Sequence, residues 1–313
     1  MGNNQASSRE GDTLMKNLLK TLLVTLLITA VSISFSALSA GGGSYLPNDE
    51  MPSYSGHKLT TSMQNGMQVY MNNCMGCHSL QFQRYNRAAK DLEIPEKLML
   101  ENLMFTGEKI GDLMTNNMPI ASAEKWFGTA PPDLSLIARS RKPQWLYNYL
   151  RAFYSDKNRP YGVNNTVFKD VGMPHALESL QGVQEKTEQV KSLENEIEYA
   201  HGDIVTAREQ LHSGGKKGEL NAVIAKAEKL IHEKEAELIA LSAEGKYFTI
   251  VKAGELSVEE YDSAMADLVN FLDYVGEPIK RERKQLGIYV LFFILFFTGV
   301  AYLLKKEYWK DVH

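Results

Sequence analysis

The sequence predicts a mainly α protein with long loops, an inserted antiparallel helical hairpin and one C-terminal transmembrane helix. Three observations carry that class. Residues 286–304 hold no charged side chain; at about 1.5 Å per residue such a helix crosses a hydrocarbon core of roughly 30 Å. Two apolar stripes within 183–243 step by three and four residues on either side of a glycine-rich turn, the period of paired amphipathic helices. Residues 79–182 show no long alternation of apolar and polar side chains, so extended sheet is not expected there.

The chain has 313 residues and a formal net charge of −4. A mildly acidic balance argues against nucleic acid, which needs a basic footprint. It leaves room for a basic protein partner, because opposite charge speeds encounter. The two cysteines, Cys74 and Cys77, are too few and too close for a disulfide framework.

From the N-terminus, residues 18–37 form an apolar run preceded by Lys16 and followed by Ser36-Ala37-Leu38-Ser39-Ala40. A basic start, an apolar middle and small residues make a secretory signal with cleavage just after Ser39; an uncleaved anchor is the alternative. Residues 1–40 are therefore a leader and signal peptide. Residues 41–60, rich in Gly, Pro and Ser, read as an extended arm, and helical spacing begins near Thr61 and runs into the cysteines. Prolines and glycines break 79–182 into short helices and loops.

The stripes of 183–244 run Val190, Leu193, Ile197, Ala200, Ile204, Ala207, Leu211, then Leu220, Ile224, Ala227, Ile231, Leu238, Leu241, with Lys234 as the one polar break. Joined by His212-Ser213-Gly214-Gly215-Lys216-Lys217-Gly218, they predict a coiled-coil-like hairpin that returns the chain to its start, bringing the vicinity of Gly182 near Gly245. It is either a solvated spacer or a docking arm. Residues 245–284 return to the first domain, which spans 41–182. Residues 285–305 are the transmembrane helix, flanked by Lys280, Arg281, Arg283 and Lys284 before it and by Lys305 and Lys306 after it. The leader sets the orientation: everything between the two apolar runs is exported, and 306–313 stay cytoplasmic.

Cys74-Met75-Gly76-Cys77-His78 is a C-x-x-C-H sequence at a helix end. Two thiols three residues apart can add to the two vinyl groups of one haem, and the next residue can offer its imidazole to the iron. A thioredoxin-like pair would follow a strand, and a zinc site would need further ligands. A methionine thioether as sixth ligand would close the iron and raise its potential. Met118-Pro119 and Met173-Pro174 are both loop positions suited to that role, and spacing favours neither.

These residues resemble the cytochrome c1 family, the haem subunit of cytochrome bc1 complexes, over most of 45–310. The similarity lies in Gly66-Met67-Gln68-Val69-Tyr70 leading into Cys74-Met75-Gly76-Cys77-His78-Ser79-Leu80, then Arg84-Tyr85, Pro131-Pro132-Asp133-Leu134-Ser135, Arg139-Ser140-Arg141, Val171-Gly172-Met173-Pro174 and Asp267-Leu268-Val269-Asn270-Phe271-Leu272. The resemblance implies a class I cytochrome c fold around one haem c bound through Cys74 and Cys77, with His78 and Met173 as iron ligands. It implies that Arg141, and less directly Arg139, pairs with a haem propionate, that the Pro132 carbonyl meets the His78 ring, and that Trp145 lies against the haem edge. Trp126-Phe127-Gly128 would close the pocket. The implied partners are cytochrome b and a Rieske iron–sulfur subunit in a dimeric complex, with a cytochrome c as electron acceptor. The implied location is a bacterial inner membrane, single-pass, with the haem domain in the periplasm. No side chain of this chain would perform acid–base chemistry; quinol–cytochrome c reductase activity would belong to the complex. The 183–244 hairpin departs from the pattern of many relatives.

Overall fold

A computed structural model describes residues 50–310; the leader and its cleavage point lie outside the described residues. The first part of the described chain begins with α1 (Gly56–Asn73), which starts a little before Thr61, with Leu59 already packed on the core. It continues through β1 (Leu80–Arg84), α2 (Tyr85–Asp91), α3 (Glu96–Asn102), β2 (Leu113–Met114), α4 (Ile120–Phe127), α5 (Ile137–Arg141), α6 (Pro143–Arg151), β3 (Phe153–Ser155), β4 (Val163–Asn165) and α7 (Glu178–Gln181). After an excursion the chain returns as α10 (Val258–Gly276), which lies across α1.

The α1–α10 crossing is the centre of the core. Met63, Met67, Tyr70 and Met71 of α1 bury against Met265, Leu268, Val269, Phe271 and Leu272 of α10, and the Tyr70 and Phe271 rings are 5.7 Å apart. Backbones touch where Gly66 meets Asp267: a Cβ on Gly66 would lie 1.9 Å from the Asp267 carbonyl oxygen. Asp267 is itself buried and accepts hydrogen bonds from Ser62 Oγ and, at 3.1 Å, from Asn65 Nδ2. A capping box of Ser257 and Glu260 starts α10, satisfying two backbone N–H groups that a helix start leaves open. α6 braces the same helix, with Tyr261 Oη donating to the Leu150 carbonyl at 2.9 Å and Arg151 paired to Asp262.

The excursion is an antiparallel pair, α8 (Glu188–His212) and α9 (Lys217–Ala243). Val190, Leu193, Ile197, Ala200 and Ile204 bury against Ala227, Ile231, Leu238 and Leu241, following the two stripes. Lys234, the polar break, reaches across the pair to Glu196 at 3.3 Å and along α9 to Glu237 at 3.1 Å. What periodicity did not anticipate is the neck. β5 (Gly182–Lys186) and β6 (Phe248–Ala253) form an antiparallel ribbon, with Gly182 opposite Ala253 and Lys186 opposite Phe248. The ends of the helical pair therefore meet at Lys186 and Phe248, and Gly182 sits a ribbon's length below. Gly182 has φ +85°, and a Cβ there would lie 2.2 Å from the Lys252 carbonyl oxygen, so only glycine fits that entry.

The final element is α11 (Lys280–Tyr308). Its apolar side chains from Leu286 to Leu304 are exposed rather than packed on the domain, and Glu282–Tyr308 is the one helix among the described residues long and apolar enough to cross a membrane. Lys280 pairs with Asp273 of α10 at 2.6 Å and ties the start of the helix to the core.

Candidate functional site

α1 ends at the cysteine motif. The Cys74 N–H donates to the Tyr70 carbonyl at 2.8 Å, and the His78 N–H to the Cys74 carbonyl at 2.9 Å, winding residues 74–77 into a tight turn. Tyr70, fully buried, holds this turn from beneath: its hydroxyl donates to the His78 carbonyl and reaches Met75 Sδ at 3.2 Å. His78 Nδ1 donates to the Pro132 carbonyl at 2.7 Å. That bond fixes the ring and leaves Nε2 as the basic nitrogen.

Cys74, Cys77 and His78 line one apolar cleft of about 310 Å³, within the size range of ligand-binding clefts. α6 supplies Trp145 and Tyr149, stacked with ring centroids 5.1 Å apart, and α10 supplies Leu268 and Leu272. The loop after β4 adds Phe168, Val171 and Met173. Met173 is half-buried, and its sulfur accepts from the Tyr149 hydroxyl at 3.4 Å. Arg141 stands at the rim, its guanidinium 5.1 Å from the centroid of Trp145. Phe127 and Thr129 also line the cleft.

The structure thus brings Cys74, Cys77, His78, Pro132, Arg141, Trp145 and Met173 to one place. Met118 is not on the cleft. Neither is Arg139: two residues from Arg141 on α5 turns a side chain about 200° around the helix axis, and Arg139 lies against Gly276 of α10. Trp126 also turns outward, 58% exposed, so only Phe127 of that trio faces the cleft. Tyr149, and the place of Leu268 and Leu272 on the cleft, are not among the sequence expectations. Their signal was spacing alone, Trp145 with Tyr149 and Leu268 with Leu272 at i, i+4, which core packing produces equally well.

Burial sets the electrostatics. It lowers the pKa of His78, opposed by the Pro132 carbonyl and Asp133, so the imidazole is neutral and able to ligate. Burial, with Cys77 adding to it, pushes the Cys74 thiol up to about 12, which disfavours a zinc thiolate. Among the described residues no three His, Cys, Asp or Glu side chains gather as a metal cluster. The donor set instead suits a large apolar macrocycle: two thiols and an imidazole on one turn, a thioether on another loop, flat aromatic walls and a cation at the rim.

Fold and cleft together define a class: a mainly α haem domain of the class I cytochrome c type, carried on one apolar C-terminal helix. The cytochrome c1 family model matches residues 53–212 and 255–312, leaving α9 and β6 unmatched. Cytochrome c1 of Allochromatium vinosum is 42% identical over 276 residues, covering 88% of this chain and 93% of that protein. The ammonia monooxygenase gamma subunit of Nitrosomonas europaea is 37% identical over 252 residues, 80% of this chain and 84% of the relative. Cytochrome c1 of Blastochloris viridis is 22% identical over 274 residues, 80% of each. The chain belongs to the cytochrome c1 family. Membership makes it an electron-transfer subunit of a cytochrome bc1 complex with haem c as cofactor.

Proposed function

We propose that Cys74 and Cys77 of this chain would hold haem c through thioethers, and that His78 and Met173 would offer their side chains to its iron. It would accept electrons from a Rieske iron–sulfur subunit and pass them to a cytochrome c. The observation that carries the reading is the shared cleft: both thiols, the Pro132-oriented imidazole and the Met173 thioether all face it. Haem, when bound, supplies the one-electron chemistry. The residues of the chain bind and orient it. Cys74 and Cys77 tether one edge. The Pro132 carbonyl holds the His78 Nδ1 proton, raising the basicity of the other nitrogen. Tyr149 presents Met173 by donating to its sulfur. Leu268, Leu272, Val171 and Phe127 exclude water, and Arg141 matches a propionate as a planar guanidinium matches a carboxylate.

In this reading the leader 1–40 exports the domain, so the cleft faces the periplasm of a bacterial inner membrane with α11 as single-pass anchor. Cytochrome b is a partner within a dimeric complex. Met173→Leu tests the ligand assignment in the membrane-bound full chain: the visible band of methionine–iron ligation should vanish and the reduced haem should bind carbon monoxide. Met118→Leu should leave both properties unchanged. The reverse pattern would move the ligand to the other loop.

A further inference from the structure

The loop that carries Met173 is fastened to the neck of the helical hairpin. Met173, Pro174 and Ala176 face the cleft. His175 between them is turned the other way and stacks on Phe153, with ring centroids 4.8 Å apart and planes 6° from parallel. Phe153 opens β3, and its carbonyl accepts from the side-chain amide of Gln184 on β5. The same Gln184 Nε2 donates to the Arg151 carbonyl at 2.9 Å, where Gln181 Nε2 also donates at 3.2 Å. Both ring nitrogens of His175 and Oε1 of Gln181 are shielded from solvent without a hydrogen-bond partner among the described residues, and the Gln181 amide is the ring's polar neighbour. Buried polar atoms left open are costly, so this contact is held in place chiefly by the ring stack on Phe153.

We propose that His175 is a positioning residue for the sixth ligand: its stack on Phe153, whose carbonyl accepts from Gln184 of β5, locks the Met173 loop to the β5–β6 ribbon. The ribbon that carries the hairpin then also sets how firmly the Met173 sulfur is presented. The proposal rests on Met173 being the ligand. A loosened loop leaves the protein folded and the haem attached but raises the fraction of molecules in which sulfur has left the iron.

The test uses the full chain in detergent-solubilised membranes, with His175→Ala, His175→Phe, Gln184→Leu and Met173→Leu. The readouts are the methionine–iron band of the oxidised haem and the carbon monoxide-reactive fraction of the reduced haem. We expect His175→Ala and Gln184→Leu each to raise the reactive fraction roughly fivefold, the size of losing one net buried hydrogen bond, with covalent haem retained. His175→Phe, which keeps the stack, should raise it less. A lost band in Met173→Leu together with wild-type behaviour of both His175→Ala and Gln184→Leu overturns the positioning role alone. A retained band in Met173→Leu overturns the ligand reading and this inference with it. Should His175→Ala yield no haem protein, Gln184→Leu decides the matter, because it lies on the ribbon and touches neither cleft nor loop.

Discussion

Asp267 is a carboxyl in the wrong place for its charge, at the closest approach of two helices. Burial pushes its pKa above the ordinary 3.8, and the hydrogen bonds from Ser62 and Asn65 only partly oppose that shift. Between the ordinary and the raised value, the folded state therefore holds a proton that the unfolded chain has released. Stability from this group is fully present below the ordinary carboxylate range and is lost as pH rises through the raised folded value. Thermal melts of the solubilised protein should show Asp267→Asn gaining on the wild type as pH climbs above about 4; parallel pH curves would contradict the assignment. At this scale the sequence was legible where chemistry repeats in a short motif. Cys74, Cys77 and His78 stand within five residues and declared themselves. Tyr149 did not, because nothing nearby in sequence announces that its hydroxyl meets Met173. Arg141 read as the stronger candidate and Arg139 as the weaker, and the helix turns Arg139 away from the cleft.

Helices with long stripes were the easiest elements to foresee, since α8 and α9 bury each other and carry their contacts in their own period. The ribbon β5–β6 was not foreseeable. Its strands are five and six residues long, their pairing spans the whole hairpin, and the side chains of β6 are mostly exposed and show no inward face. That ribbon changes where the hairpin can be removed. Replacing 188–246 with a short Gly-Ser linker keeps Lys186 opposite Phe248 and should leave the haem spectrum and membrane attachment unchanged. Replacing 183–244 deletes β5 with Gln184 and should destabilise the Met173 loop, seen as increased carbon monoxide binding. Identical spectra from both deletions would mean the ribbon carries nothing. The α1–α10 crossing makes the other prediction at this scale. Gly66→Ala places a methyl within 1.9 Å of a backbone carbonyl, where no flexible side chain can yield, and should cost about 2–4 kcal/mol in denaturant unfolding. A loss below about 0.5 kcal/mol would mean the helices part easily.

At the scale of the molecule, a haem domain closed by α10 is followed directly by α11, whose apolar surface is exposed among the described residues. The charge-free run made that anchor readable at once, whereas the cleft is assembled from α1, α6, α10 and two loops that only the fold brings together. Ending the chain after Glu277 should release a water-soluble protein with the haem spectrum of the full chain. An aggregated or haem-free product would show that the domain leans on its anchor. Electron transfer by this chain requires covalent haem at the turn that ends α1. Mass spectrometry of the denatured, purified chain measures this most directly. The account predicts one haem added to the polypeptide mass, carried on the peptide containing Cys74 and Cys77, and none in the variant with both cysteines replaced by alanine. A polypeptide mass without haem, from protein that is red before denaturation, would contradict it.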